Sequence, residues 1–425
     1  MWVVVTILLI ISGLPIGFAI LLGGLIYLWG SGTVDPMVSA TRAVIGMNSF
    51  VMMAIPFYIL AGAIMTSGGM AKRLVNLADI FVGHLKGGLA HINILVSMIF
   101  AGMSGTATAD AAGIGQIEVP MMIRGGYTPQ AAAVVTAFSS TVGPIIPPSV
   151  PFVIYGALTG TSVGGLFLGG IIPGILMGVA MMFVVFILAR RYGYKVAREK
   201  APSFSEVLKA LKESFLALLT PVIIMGGIVG GIFTPTEAAV VAVFYSLIVT
   251  IFIYKELSIR DLPKVIFESM VFSGLVMLIV ATASFFGWIM LISGFNDTML
   301  NTIYAISSTP WVVLLLVNIL LLILGCFMDV TALIIMLAPM FVPLITGLKI
   351  DPVHFGIMMV LSLMIGMVTP PVGMCMYITC QLAKVKMVDF VIEGLPYYII
   401  LIITLFFIAY VPSVTMFLPN LLIGR

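Results

Sequence analysis

One aspartate lies inside an otherwise apolar stretch of this chain, and its type and surroundings point to cation chemistry. Asp329 has no lysine, arginine or histidine within ten residues on either side. A carboxylate in apolar surroundings is costly unless it is paired with a charge or binds a cation. A hard cation would take oxygen ligands from this carboxylate, from the Thr331 hydroxyl and from main-chain carbonyls. The alternative is an aspartate that is protonated or hydrated in a loop.

The sequence around Asp329 repeats a segment that lies 223 positions earlier. The pairs that match without a gap are Gly102 with Gly325, Thr106 with Asp329, Thr108 with Thr331, Pro120 with Pro343, Pro129 with Pro352, Gly143 with Gly366, and Pro147–Pro148 with Pro370–Pro371. Most of these residues interrupt helices. Interrupted apolar segments that recur in both halves of a chain are typical of secondary transporters, whose binding site lies between the repeats.

Each copy predicts a re-entrant hairpin of two short apolar helices. The first hairpin covers about 88–124 with a polar tip at 101–110, and the second covers about 311–346 with its tip at 325–331. Irregular backbone is tolerated at membrane depth only where it faces protein or water. The first tip would offer the neutral hydroxyl of Thr106 to a cation. Its alternative role is tight packing of small residues.

An interrupted helix follows each hairpin. The first covers about 128–158 and breaks at Gly143–Pro148, and the second covers about 353–383 and breaks at Gly366–Pro371. Two successive prolines cannot continue a helix, because they lack N–H donors and clash with the preceding turn. The carbonyls that they leave free require a neighbouring helix, water or an ion.

The composition indicates a chain dissolved largely in lipid. Of its 425 residues, 62% are hydrophobic and 8% are charged, which excludes an ordinary soluble domain. Apolar runs long enough to cross a membrane lie at about 2–29, 49–68, 167–189, 216–233, 236–254, 267–294 and 396–418. The first run is predicted to be a retained span, because it has no basic leader or cleavage site. Three cysteines without metal-type spacing are predicted to be buried apolar residues: Cys326, Cys375 and Cys380.

Lysine and arginine predict the orientation. The basic clusters at 72–86, 190–212 and 255–264 are expected on the cytoplasmic side. The first hairpin then enters from the cytoplasm and the second from the opposite side, which makes the copies inverted. We therefore predict a first repeat at 1–190, a cytoplasmic linker at 191–215 and a second repeat at 216–425. The amphipathic stretches 70–86 and 258–268 are predicted to lie along the membrane surface.

Other polar residues have structural interpretations. Asp110 is as well explained as a helix cap as by ion binding, and Glu118 is predicted to pair with Arg124. The segment Thr234–Ala238 predicts a helix start, with proline first and an acid in the first turn. The histidines are predicted at the surface or the interface: His84, His91 and His354.

Motifs of enzymes are absent from the sequence. It contains no H-E-x-x-H, G-x-S-x-G or Walker A motif. An intramembrane enzyme is therefore disfavoured, and any concentrative transport must draw on an ion gradient.

Four strings carry a resemblance to a known family: Ser104–Asp110 (SGTATAD), Pro144–Ser149 (PIIPPS), Thr234–Ala238 (TPTEA) and Thr369–Gly373 (TPPVG). With them, essentially the whole chain resembles the large membrane subunit of the tripartite ATP-independent periplasmic (TRAP) transporters. The resemblance implies an all-α polytopic membrane fold of the elevator-type ion-transporter superfamily, in a bacterial or archaeal inner membrane.

The same resemblance implies partners and cargo. It implies a small four-helix membrane subunit, a periplasmic solute-binding protein, sodium as the driving ion and a small organic acid as substrate, with no nucleic acid. C4-dicarboxylates and sialic acid are among the family's substrates. An arginine near the second hairpin is expected for sialic acid, and the sequence has none between Lys264 and Lys349.

The site residues are carried over from the family by position. The sodium ligands implied are Ser104, Gly105, Thr106, Thr141, Val142 and Gly143 in the first repeat and Gly325, Asp329, Thr331, Gly366 and Thr369 in the second. The substrate is assigned to Thr106, Asp329, Pro147 and Pro370. Two rival functions remain open: a sodium–carboxylate symporter that acts alone, and a cation channel with the tips as its filter.

Overall fold

The computed structural model describes residues 5–424 apart from positions 7, 10, 11, 13, 33, 34, 36, 296, 297, 299, 300, 303, 304, 306 and 308. These residues form helices and connecting turns, without a strand. Among them, six helices are long and apolar enough to cross a membrane. Part of the predicted first span, 2–29, falls on positions outside the described residues.

The first half of the chain forms ten helices within its described residues. They are α1 (Ile16–Ser31), α2 (Met37–Met47), α3 (Ala54–Ser67), α4 (Met70–Val82), α5 (Gly88–Ser104), α6 (Ala107–Gly113), α7 (Gly115–Arg124), α8 (Pro129–Ser140), α9 (Val150–Thr159) and α10 (Val163–Tyr192). The predicted first hairpin thus contains α5, α6 and α7. Its second arm begins at Ala107, earlier than the expected Ala111. This arm consists of two helices, α6 and α7, which meet between Gly113 and Gly115.

The second half continues with nine helices in the part that the structure describes. They are α11 (Phe204–Val229), α12 (Pro235–Leu247, continuing as a π-helix to Ile253), α13 (Leu262–Ile292), α14 (Pro310–Gly325), α15 (Val330–Gly347), α16 (Pro352–Gly366), α17 (Met374–Ala383), α18 (Met387–Tyr410) and α19 (Pro412–Ile423). Helices α14 and α15 occupy the predicted second hairpin, and α16 and α17 the second interrupted helix.

Capping side chains determine where the long helices α11 and α12 begin. Thr234 and Glu237 form a reciprocal capping box at the start of α12, which confirms the helix start predicted there. Ser203 and Glu206 form a second box at the start of α11. Residues 204–215 of the predicted linker therefore form the first turns of α11, since the cap starts the helix before the sequence turns apolar.

A bend near Gly69 separates the apolar helix α3 from the amphipathic helix α4. The two helix axes differ by 69°, and Gly69 has a positive φ of 76°, which favours glycine. Arg73 on α4 pairs with Glu256 at 2.6 Å, and its guanidinium lies 3.7 Å from the centroid of the Tyr254 ring. Helix α4 thus occupies most of the predicted surface stretch 70–86 and is held to the loop after α12.

Two predicted elements have different bounds in the structure. The second surface stretch, 258–268, is not a separate element, because its residues from Leu262 onward form the first turns of α13. The apolar run 396–418 is not one helix, because it is interrupted at Val411 ahead of Pro412. A residue before proline is biased away from the helical conformation, which explains this break.

Candidate functional site

The first hairpin tip contacts the first helix break through the backbone. Helix α5 ends at Ser104, Gly105 takes a positive φ of 62°, and Thr106 occupies the N-cap position of α6. The carbonyl of Gly105 accepts a hydrogen bond from the Val150 N–H at 3.2 Å, just after the break. A Cβ added at Gly143 would lie 3.7 Å from the carbonyl oxygen of Thr106. Tip and break therefore form one backbone cluster.

The second tip contacts its own break in a related way. The carbonyl of Cys326 accepts hydrogen bonds from the N–H groups of Val372 at 3.3 Å and Gly373 at 3.0 Å. Gly325 and Gly366 bring α14 and α16 into backbone contact, since a Cβ added at Gly366 would lie 2.5 Å from the Gly325 Cα. The glycines predicted as ligands thus also have a packing role, because no larger residue fits at this crossing.

The two N-cap residues behave differently. The Asp329 Oδ1 accepts a hydrogen bond from the Thr331 N–H at 2.8 Å and so caps α15. Thr106 makes no such bond to α6, and its buried hydroxyl has no hydrogen-bond partner among the described residues. The buried hydroxyl of Ser104 likewise finds none in the described chain. The first tip therefore keeps two oxygen atoms available for a ligand.

A cavity of about 480 Å³ joins the two tips. Its polar lining comprises Thr106 and Thr108 from the first tip and Asp329 and Thr331 from the second. Its apolar walls come partly from α1 and α13, including Phe18 and Phe272. The volume suits a small organic molecule, since ligand pockets typically measure about 300–1,000 Å³. The structure thus brings residues from the two repeated segments to one cavity.

Three helix N-termini reach the lining of this cavity. The first residues of α9, α15 and α17 all line it: Val150, Val330 and Met374. The helix dipole favours an anion at such an end, although the Val150 and Thr331 N–H groups already donate to Gly105 and Asp329. Among the described residues of the lining, Asp329 is the one that carries a charge. The cavity therefore combines three helix ends with one carboxylate.

The remaining predicted site residues lie in the breaks. Thr141, Val142 and Gly143 are fully buried, and the Thr141 hydroxyl donates to the Phe138 carbonyl at 2.6 Å. The half-buried Thr369 donates in the same way to the Ile365 carbonyl at 2.7 Å. Both hydroxyls keep a lone pair that could bind a cation.

The two prolines assigned to the substrate lie apart from the cavity lining. Pro147 is buried and Pro370 is exposed, whereas Pro144 and Met367 line the cavity in these breaks. Position in the sequence motif did not indicate which residue of each break faces the cavity.

Two acidic residues behind the first tip differ from the sequence predictions. Asp110 is not the cap, because Thr106 occupies that position, and Glu118 does not pair with Arg124, whose Nε donates to the Pro120 carbonyl at 3.2 Å. Both carboxyl groups are buried, and among the described residues none lies in good hydrogen-bond geometry to their oxygens. Glu118 lies on the buried face of α7 while Arg124 ends it, which separates the two side chains.

Two of the three histidines are buried, which the sequence did not predict. His354 hydrogen-bonds to the Thr415 hydroxyl at 2.8 Å and the Ala409 carbonyl at 3.1 Å. His91 is also buried, whereas His84 is exposed, as predicted. The partners of His354 are distant in sequence, so hydropathy around position 354 gave no signal of its burial. All three cysteines are buried and free, which confirms their prediction.

A buried asparagine in the first arm of each hairpin was missed. Asn93 accepts a hydrogen bond from the Ser139 hydroxyl at 2.7 Å, and Asn318 accepts one from the Ser362 hydroxyl at 2.6 Å. All four residues are 0% exposed. The signal available in the sequence was a lone asparagine in each apolar arm, but the two lie 225 positions apart and fall out of the 223-residue register.

The helices and the cavity define a class of protein. The described chain is a multi-pass helical membrane protein with a ligand-sized cavity between interrupted helices, an arrangement found in secondary transporters. Its fold is similar to that of the YdaH transporter of Alcanivorax borkumensis, with a TM-score of 0.62 at 15% sequence identity over 88% of each chain.

Sequence comparison then gives the family. The family described as the DctM component of the tripartite ATP-independent periplasmic transporter matches residues 3–414, and the chain belongs to it. The chain is 40% identical over 416 residues to the sialic acid TRAP transporter large permease protein SiaM of Vibrio cholerae, covering 98% of this chain and 97% of that one. It is 40% identical over 371 residues to the C4-dicarboxylate TRAP transporter large permease protein DctM of Pseudomonas aeruginosa, covering 87% and 86%.

Proposed function

We propose that this large permease takes up a small organic acid across the inner membrane, driven by a sodium gradient. The observation that carries the proposal is the cavity between the tips, which is lined by Asp329 and by the first residues of three helices. A carboxylate substrate would bind at the helix ends, and sodium would bind at the oxygen-rich tips. The relatives named for sialic acid and C4-dicarboxylates transport organic acids, which supports this substrate class.

Two sodium positions follow from the tip-and-break clusters. The first comprises the free hydroxyls of Ser104 and Thr106 with carbonyls around Thr141–Gly143. The second comprises Asp329 and Thr331 with the backbone around Gly366–Thr369. Asp329 keeps one carboxylate oxygen beyond the one used in its cap. Sodium at each tip would offset charge repulsion between Asp329 and an anionic substrate, which couples the binding of the two.

Partners are part of the proposal. The family description names the protein as one component of a tripartite periplasmic transporter. We take the other two to be a small membrane subunit and a periplasmic binding protein that delivers the substrate. Among the described residues no arginine lines the cavity, so we favour a C4-dicarboxylate or another small carboxylate over sialic acid as the substrate.

Reconstitution tests this function. The chain, its small subunit and its binding protein are placed in liposomes, and uptake of labelled organic acids is followed under an inward sodium gradient. We expect uptake only with all three proteins and sodium. Full-rate uptake by the chain alone would establish the stand-alone symporter instead, and sodium current without a substrate would establish the channel.

An elevator motion is the mechanism that we propose for the transport step. Hairpins and interrupted helices would move as one body against the long helices. Distances from Ser104 to Leu22 and to Val240 should then change between states, while the distance from Ser104 to Asp329 stays nearly constant. Spin labels at these pairs, with and without sodium and substrate, measure both. Tips that separate while the distances to α1 and α12 stay fixed would show local gating and exclude the elevator.

A further inference from the structure

In both repeats a hydrogen bond between two buried side chains joins the hairpin to the broken helix, away from the tip and from the cavity lining. Asn93 on α5 bonds to Ser139 on α8, and Asn318 on α14 bonds to Ser362 on α16. In each case the asparagine comes from the arm that leads into a tip. The serine comes from the helix that leads into a break. It lies four residues before Gly143 in one repeat and four before Gly366 in the other.

Each asparagine is also fixed by its amide nitrogen. The Asn93 Nδ2 donates to the Thr136 hydroxyl at 2.7 Å, and the Asn318 Nδ2 donates to the Leu314 carbonyl at 2.8 Å. In both repeats a methionine sulfur lies near the same nitrogen, at 3.5 Å for Met122 and 3.3 Å for Met358. A fully buried amide with its oxygen and nitrogen both bonded has one rotamer and one position. Each pair is therefore a rigid link between arm and broken helix.

A rigid link at this place determines how tip and break face each other. The proposed sodium ligands come from both sides: hydroxyls or a carboxylate from the tip, and carbonyls from the break. A cation site needs its oxygens at fixed separations, and a shift of a few tenths of an ångström between the two elements changes those separations. An apolar contact would also hold the helices together, but it would not fix their axial register to one hydrogen-bond length.

We propose that Asn93 and Asn318 are positioning residues for the two sodium sites, acting through Ser139 and Ser362 and touching no ion themselves. This inference rests on the proposed sodium-driven function. Since neither asparagine lines the cavity, their effect should appear in sodium affinity and leave the substrate contacts intact. The duplicated pair implies that both repeats use the same device, although their tips differ in charge.

The test is a double-mutant cycle in each repeat with sodium affinity as the readout. Asn93→Ala, Ser139→Ala and the double variant form one cycle, and Asn318→Ala with Ser362→Ala form the other. The complete three-protein transporter in liposomes gives the sodium concentration for half-maximal uptake. The purified chain gives the sodium-dependent rise in melting temperature, which reports binding without transport.

In the second repeat we expect each single variant to raise the half-saturating sodium concentration about fivefold, the equivalent of one buried hydrogen bond. The double variant there should be no worse than the worse single variant, because both substitutions remove the same hydrogen bond. In the first repeat Asn93 also donates to Thr136 on α8, and Ser97 on α5 donates to Ser139, so each single variant should raise that concentration at least about fivefold and the double variant should exceed either. Ser246→Ala is the matched control, since this buried serine on α12 bonds only to the Ala242 carbonyl of its own helix. It should leave sodium affinity unchanged.

The outcomes separate this inference from the function on which it rests. A wild-type transporter without any sodium dependence refutes the proposed function. A sodium-dependent wild type whose variants match Ser246→Ala refutes the positioning role alone. Variants that lose melting temperature equally with and without sodium show a purely structural link and also refute it. Should an alanine variant fail to fold, Asn93→Ser and Asn318→Ser, which keep a polar group, provide the same comparison.

Discussion

The two hairpin tips occupy matching positions in the repeated sequence, but their N-cap residues differ: one is a charged aspartate and the other a neutral threonine. At the second tip, Asp329 caps its own helix through one carboxylate oxygen. At the first tip, Thr106 leaves its helix without a side-chain cap and keeps its hydroxyl free. The surroundings differ too, because the first break is almost wholly buried while residues 370–372 of the second are exposed. The charged cap residue thus lies opposite the more exposed break, and the neutral one lies opposite a break where a charge would be costly.

Removing the charge at the second tip should have the largest effect on transport. We expect Asp329→Asn to raise the half-saturating sodium concentration about 10- to 100-fold, since interactions with a charged group contribute about 1.5–3 kcal/mol. Asparagine can still cap α15, so the melting temperature without sodium should hold. Asp329→Ala should lose sodium coupling and also about 1 kcal/mol of stability from the cap. Uptake against sodium concentration and thermal unfolding measure the two effects, and unchanged sodium dependence in both variants would exclude Asp329 as a ligand.

The contact between tip and break should be more sensitive in the second repeat than in the first. Gly366→Ala places a Cβ 2.5 Å from the Gly325 Cα and must push α14 away, whereas Gly143→Ala meets the Ser140 carbonyl at 3.1 Å. We expect the Gly366 variant to lose about 1–3 kcal/mol of stability, as overpacked sites do, and the Gly143 variant to lose less. Thermal unfolding of the purified chain compares them. Equal losses would mean that the two crossings are equally close in the membrane.

Removing the Thr106 hydroxyl at the first tip should lower sodium affinity less than removing the Asp329 charge does. Thr106→Val keeps the shape of the side chain and removes the hydroxyl, so sodium affinity should fall about fivefold, corresponding to about 1 kcal/mol for one neutral ligand. Because the Thr106 side chain does not cap α6, the melting temperature without sodium should not change. Thr106→Ser, which restores the oxygen, should return sodium affinity to near the wild-type value. A valine variant with wild-type sodium affinity would assign this tip to packing alone.

Loosening the amphipathic helix α4 should have the smallest effect. Arg73→Gln removes the ion pair with Glu256 that holds α4 to the loop after α12. In the second repeat, residues 258–268 form no separate amphipathic helix. Both side chains are partly exposed, so we expect a loss of less than about 1 kcal/mol and unchanged sodium affinity. Thermal unfolding at low and high salt measures the loss. A large decrease in uptake would show that α4 takes part in the motion.

Local sequence signals predicted the interruptions well and the contacts between them poorly. The paired prolines, the tip glycines and the Thr234 cap act within a few residues, so the sequence indicated where helices end. The burial of Glu118 depends on which face of the ten-residue helix α7 meets its neighbours, and so short a helix shows no clear periodicity. The partners of Asn93 and His354 lie dozens of residues away, where no periodicity extends.

The candidate site was predicted in part for the same reason. Asp329 and Thr106 were recognisable as oxygen donors in apolar sequence, and both line the cavity. Its walls on α1 and α13 come from helices with no polar or positional signal, so Phe18 and Phe272 could only be found in three dimensions. The helix N-termini at the cavity were also missed, since three helix starts at separate places in the sequence do not reveal that they converge.

The contrast in helix length bears on how deep the cavity would lie in a membrane. Helices α11 and α13, with 26 and 31 residues, extend about 39 and 46 Å at 1.5 Å per residue. Helices α9 and α17, with 10 residues each, extend only about 15 Å, or half of the roughly 30 Å hydrocarbon layer. A helix of this length whose far end reaches the membrane surface would begin near the middle of that layer. The cavity-lining residues at the starts of α9 and α17, Val150 and Met374, would then lie at mid-depth in the membrane.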